Sequence, residues 1–193
     1  MTYPAFYLLR HGQTKWNIAG RLQGKLDSSL TETGRVQAQQ QGSLLTPIFE
    51  QFPDIPVISS PQGRALTTAQ IALKKRGNGV IADERLREIS AGAWDGAYLD
   101  TIEQTHGHLY QQSRNSFELM FLAPDGEGEE AVLKRCRDFL NQQRKPTILI
   151  THGATLCVLR GILREMAFDE MLDLSHEQGC IYAIENGEET ILR

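Results

Sequence analysis

The chain has 193 residues, enough for one compact domain that buries a sheet between helices. Its hydrophobic content of 40% and charged content of 23% are those of an ordinary globular protein, which excludes disordered and fibrous classes. A formal net charge of -4 at pH 7 argues against a general binder of nucleic acid or of an anionic membrane, while leaving local basic residues free to attract a small anion.

The first apolar run, residues 5–9, is short, aromatic and aliphatic, as a fully buried strand would be. It stops at Arg10-His11-Gly12. A cation and an imidazole there are poor packing choices but good ligand-site choices, because open α/β sheets bind ligands beyond the carboxyl ends of their strands. No basic segment precedes the run and it is too short to span a membrane, so neither a signal peptide nor a membrane anchor is expected and the expected location is cytoplasmic. Residues 12–30 form a polar, glycine-containing loop. Asn17, Arg21 and Gln23 in it either face an anion or serve as turn and solvated residues.

Thr31 or Ser29 caps the next helix, with Glu32 in its first turn. Val36, Leu44, Leu45, Ile48, Phe49 and Phe52 form its apolar stripe, and Pro47 predicts a kink or break. A strand at 56–58 is closed by Ser59-Ser60-Pro61 and followed by a helix over 63–73 that puts Arg64 in its first turn, ended by Gly77-Asn78-Gly79. A third short strand is expected at 80–82. Glu88, in the irregular segment after it, is either a half-buried carboxyl or a surface glutamate in an ion pair. Residues 97–130 carry little periodicity and are the expected place for a lid or substrate wall. Tyr110, Arg114, Phe117, Met120 and Phe121 there either line an entrance or pack the lid on the core. His106 and His108 have no third ligand near them, so no metal site is expected.

A helix from 129 to about 143 leads to a strand at 147–151, where a second strand end carries His152-Gly153. Leu156, Leu159, Ile162, Leu163 and Met166 form the stripe of the helix beyond. Asn186-Gly187 between two apolar runs predicts an antiparallel C-terminal hairpin. Cys136, Cys157 and Cys180 show neither disulfide nor zinc spacing, and Cys157 reads as a buried thiol. The expected fold is a three-layer α/β/α domain with a mostly parallel central sheet, one domain over 1–193 with 97–130 as its variable segment.

Arg10, His11, Arg64 and His152 are thereby expected at one edge of the sheet. Two guanidinium groups suit phosphate oxygens, a neutral imidazole is a candidate nucleophile, and Glu88 is the candidate acid for the leaving alkoxide. The ordered set Arg10-His11-Gly12, Asn17, Gly24, Asp27, Leu30-Thr31-Glu32-Thr33-Gly34, Ser59-Ser60-Pro61, Arg64-Ala65, Glu88, Gly92, Trp94-Asp95-Gly96 and Thr151-His152-Gly153 resembles the histidine phosphatase superfamily, in its phosphoglycerate mutase-like branch. The chain departs from that pattern at Ser28, where a proline is usual, and at Gly128, where a serine is. The resemblance implies a phosphohistidine at His11 and Glu88 as acid then base. It implies that Arg10, Arg64 and His152 hold the phosphoryl group, with Asn17, Gln23 and the Gly153 amide assisting. It implies no metal or organic cofactor, and a small phosphorylated metabolite as substrate for a monomer or homodimer. Phosphomonoester hydrolysis is the expected activity. The alternatives are a phosphoglycerate mutase, which the short segment after Trp94 disfavours, and a non-catalytic phospho-ligand binder or a metal-dependent hydrolase.

Overall fold

Among the described residues, six strands make one sheet: β1 (Phe6–Arg10), β2 (Val57–Ser59), β3 (Ile81–Ala82), β4 (Thr147–Thr151), β5 (Ile181–Glu185) and β6 (Glu188–Leu192), in the spatial order β3-β2-β4-β1-β5-β6. The computed structural model describes residues 3–74 and 79–193. β1, β4, β2 and β3 run parallel, and β5 and β6 close the other edge as an antiparallel pair. Asn186 and Gly187 both take left-handed backbone angles, φ 52° and 80°, which is the turn that suits the twist of a two-residue hairpin. The mixed, mostly parallel sheet and its terminal hairpin match the expected architecture.

Successive residues of a strand face opposite ways, and the sheet is covered on both sides. Ile148 and Ile150 pack with Leu9, Val57 and Ile181 on one face, while Leu149 packs with Phe6, Leu8 and Tyr182 on the other. The first face is covered by α2 (Glu32–Leu44), α3 (Thr46–Gln51) and α4 (Gly63–Ala72). The second is covered by α8 (Glu129–Leu140) and α9 (Gly153–Leu163). A short α1 (Lys15–Ile18) lies within the loop after β1, and α10 (Phe168–Met171) follows α9.

Several boundaries differ from the sequence reading, each for a local reason. Thr31, not Ser29, caps α2, its hydroxyl accepting from the Gly34 amide. Pro47 does break the stripe: α2 stops at Leu44, and α3 starts with the proline in its first turn. Val36 is 53% exposed, because the inner face of α2 is formed by Gly34, Ala38 and Gln41 instead. α8 ends at Leu140, since the amides of Gln142 and Gln143 tighten onto the carbonyls three residues back. Met166 lies beyond α9, and Val80 lies outside β3. Gly77 and Asn78, expected to end α4, lie outside the described residues. The weakly patterned stretch after Trp94 folds as α5 (Leu99–Thr105), α6 (Gly107–Gln112) and α7 (Ser116–Phe121), too short to show a helical period.

Candidate active site

Arg10 pairs with Thr151 across the parallel strands β1 and β4, so the next residue on each strand is a histidine. The His11 amide continues the ladder to the Thr151 carbonyl at 2.9 Å, and the two imidazole centroids lie 5.2 Å apart. Gly12 is required by close approach: a Cβ there would lie 2.2 Å from the Gly34 carbonyl oxygen of α2. This contact packs the chain after β1 against the start of α2.

His11 is buried, and its Nδ1 lies 2.8 Å from the Gly12 carbonyl, which can only accept. Nδ1 therefore carries the proton and Nε2 keeps its lone pair. Burial, then the charges of Arg64 and Arg10, hold the His11 pKa well below its ordinary 6.5. His152 is fully buried, with both nitrogens in use. Its Nδ1 accepts from Arg64 Nε at 3.1 Å, so its Nε2 carries the proton toward Ser60 Oγ at 2.7 Å. Its pKa is also held well below 6.5 by burial and then by Arg64. It backs His11 and aims Arg64.

Arg64 is 1% exposed and largely committed to protein acceptors: Nη1 to the Leu26 carbonyl and Asp27 Oδ1, Nη2 to the Gly24 carbonyl. It thus shapes the residue 24–27 loop around the cleft. Arg10 donates from Nη1 to the His176 carbonyl at 2.8 Å, and its Nε is buried without a partner. Asn17 uses Oδ1 to cap α1 through the Thr14 amide, which leaves its NH2 for the cleft. Gln23 Oε1 is likewise buried without a partner.

Glu88 is 8% exposed, which decides for the buried carboxyl. Its Oε1 accepts from the Ile89 and Thr155 amides and the Thr155 hydroxyl, and its Oε2 accepts from the Ala154 amide. The first turn of α9 thus fixes it beside Gly153, where a Cβ would lie 3.4 Å from the Arg10 guanidinium. Arg10, His11, Asn17, Gln23, Arg64, Glu88 and Gly153 all border one cleft of about 160 Å³. At about 30 Å³ per water, that is room for a phosphoryl group and a few further atoms.

Phe117 and Met120 of α7 line the outer cleft with Leu99, Arg21 and Ser116. Phe121 instead packs between Phe117 and Phe168, Tyr110 packs against the core, and Arg114 pairs at the surface with Glu118, Asp169 and Asp173. His106 packs edge-on against Trp94. Among the described residues, no three His, Cys, Asp or Glu side chains cluster as metal ligands. Two participants escaped the sequence reading. Gln62 joins the halves of the site, accepting from the Glu88 amide at 2.7 Å and donating to the Gly24 carbonyl at 2.8 Å. His176 borders the cleft from a loop with no strand-end signal.

The buried histidines make acid stability predictable. Both His11 and His152 have folded pKa values below their unfolded ones, so well above pH 6.5 neither state binds a proton there. Below pH 6.5 the unfolded chain takes protons the folded chain refuses, and stability falls by up to about 1.4 kcal/mol per pH unit per histidine. Urea unfolding at pH 7.5, 6.5 and 5.5 is expected to show a small loss between the first two and most of the loss between the last two. Equal midpoints at all three values would contradict it.

The sequence profile of the histidine phosphatase superfamily (branch 1) matches residues 6–192. The chain belongs to this superfamily. Among relatives in the histidine phosphatase superfamily, the Escherichia coli protein named "Probable phosphoglycerate mutase GpmB" is 34% identical over 172 residues, covering 85% of this chain and 77% of its own. The structure of Bacillus stearothermophilus YhfR superposes with a TM-score of 0.81 at 30% identity, over 97% of this chain and 95% of that one. The alpha-ribazole phosphatase of Shigella flexneri gives 0.78 at 27% identity, over 98% and 94%. A mycobacterial glucosyl-3-phosphoglycerate phosphatase solved with VO3 gives 0.76 at 26% identity, over 93% and 92%. Histidine phosphatase members are thus similar along nearly the whole chain. No helix among the described residues is long and apolar enough to cross a membrane.

Proposed function

We propose that this protein is a phosphomonoester phosphatase that works through a phosphohistidine on His11. The observation that carries the reading is the His11 imidazole itself, deprotonated at Nε2 and bordering the same cleft as two guanidinium groups. Nε2 attacks phosphorus, the bond to the leaving oxygen breaks, and Glu88 acts as the acid that passes that oxygen its proton. Glu88 then takes a proton from water, whose oxygen displaces the imidazole and releases phosphate. Arg10, Asn17, Gln23 and the Gly153 amide supply donors to the phosphoryl oxygens. Arg64 and His152 hold the loop and the nucleophile in place and contribute fixed charge and packing. The substrate is a small phosphorylated metabolite, and residues 97–130 form the wall against its leaving group within a single domain.

The test is phosphate release in EDTA from alkyl and activated aryl phosphates, with 3-phosphoglycerate also assayed for isomerisation. Release that survives EDTA is expected; isomerisation without release would replace the reading with a mutase. Glu88→Gln is expected to lower kcat/KM on alkyl phosphates by roughly 10²- to 10⁴-fold and much less on an aryl phosphate whose leaving group needs no proton. An equal loss on both would remove Glu88 from the acid role.

A further inference from the structure

The segment between α10 and β5 crosses one side of the cleft as a strap, residues 174–178, and holds three parts of the site at once. The His176 carbonyl accepts from Arg10 Nη1 at 2.8 Å. Gln178 Nε2 donates to the His11 carbonyl at 3.0 Å and to Asn17 Oδ1 at 3.3 Å. The strap is itself tied down from the far side. Arg160 of α9, 1% exposed, donates from Nη1 to the Ser175 carbonyl. The same guanidinium forms a bidentate pair with Glu189 of β6, at 2.6 and 2.7 Å, and lies 3.8 Å over the Tyr182 ring. The Tyr182 hydroxyl accepts from the Glu177 amide at 2.7 Å, and Cys157 Sγ reaches the Leu174 carbonyl at 3.4 Å.

A buried arginine with this many fixed partners is costly to desolvate, and stability alone is a weak reason to keep one. We infer that Arg160 is a positioning residue of the phosphoryl site, the latch of a strap that sets the guanidinium of Arg10 and the amide of Asn17. The inference rests on the proposed phosphatase reading. An Arg10 held only through its stem would sample rotamers that point its unpartnered Nε away from the cleft, and displacement of about 1 Å at a positioning contact costs on the order of 100-fold in rate.

The experiment compares wild type, Arg160→Met, Gln178→Leu and the double variant, measuring kcat/KM on an aryl phosphate and the affinity for vanadate, with folded fraction matched by circular dichroism. Arg160→Met is expected to lower kcat/KM by on the order of 10- to 100-fold and to weaken vanadate binding by a similar factor. Gln178→Leu acts on the same strap, so the two losses fail to multiply in the double variant. Arg160→Met within about twofold of wild type on both measures, or losses that multiply fully, would overturn the inference. Should Arg160→Met not fold, Gln178→Leu carries the test, and unchanged vanadate affinity in it overturns the strap. A wild-type protein that neither releases phosphate nor binds vanadate would instead overturn the phosphatase reading.

Discussion

His11→Ala is expected to reduce phosphate release by roughly 10⁴-fold or more, the scale seen when a covalent nucleophile is removed. Two buried neighbours are poor substitutes. His152 has both nitrogens committed, to Arg64 and Ser60. Cys157 is buried with its thiol pushed up to about 12, chiefly by burial, so it holds no thiolate at neutral pH. Rapid quenching of wild type with labelled substrate is expected to trap an acid-labile phosphoprotein that His11→Ala does not form. The variant should remain folded, because the main chain at His11 keeps its ladder bond to Thr151 and its bond from Gln178. A residual rate above about one per cent in a folded variant would require a different nucleophile.

Arg64→Met is expected to damage both activity and stability, and the two have separate causes. The guanidinium bridges the Gly24 and Leu26 carbonyls, Asp27 and His152, so methionine leaves His152 Nδ1 and the Leu26 carbonyl without this donor, while the Gly24 carbonyl keeps its bond from Gln62. At about 1 kcal/mol for each of these two groups, the loss is about 2 kcal/mol. That corresponds to a fall in Tm of roughly 4–8 °C for a chain of this size. The Asp27 contact adds little, since that carboxylate is 45% exposed and screened by water. Activity is expected to fall by roughly 10²- to 10³-fold, from lost charge at the phosphoryl site and a disordered residue 24–27 loop. Differential scanning calorimetry with kinetics on the aryl phosphate checks both. A thermally weakened variant with wild-type kcat/KM would mean that Arg64 is a structural residue alone.

The parts of this site visible in the sequence are those governed by strand ends. Arg10-His11-Gly12 and His152-Gly153 stand out because a charged or imidazole side chain after a buried strand has no packing explanation, and the parallel register then fixes them side by side. Arg64 was legible in place but not in partners: nothing in a sequence shows that its donors turn to the loop at 24–27. Gln62 and His176 were illegible because their contacts are long-range, with Gln62 reaching Glu88 and Gly24 through a side chain that periodicity does not see. The helices at 99–121 were missed for a different reason, each being two turns or less. Val36 shows the opposite error, a hydrophobic residue that the helical period assigned to a face which Gly34, Ala38 and Gln41 occupy.

The pairing of β1 with β4 also sets a schedule for synthesis. Phe6 sits opposite Thr147, 141 positions later in the chain, and β5, the other neighbour of β1, comes later still. At 5–20 residues per second, roughly 7 to 28 s separate the emergence of this largely apolar strand from that of its first partner, β4. Throughout that interval the segment bearing the nucleophile presents mostly hydrophobic side chains and has no ladder to join. Closing so long a loop is slow, and the centre of the sheet, with the histidine pair at its edge, is completed only after most of the surrounding helices exist.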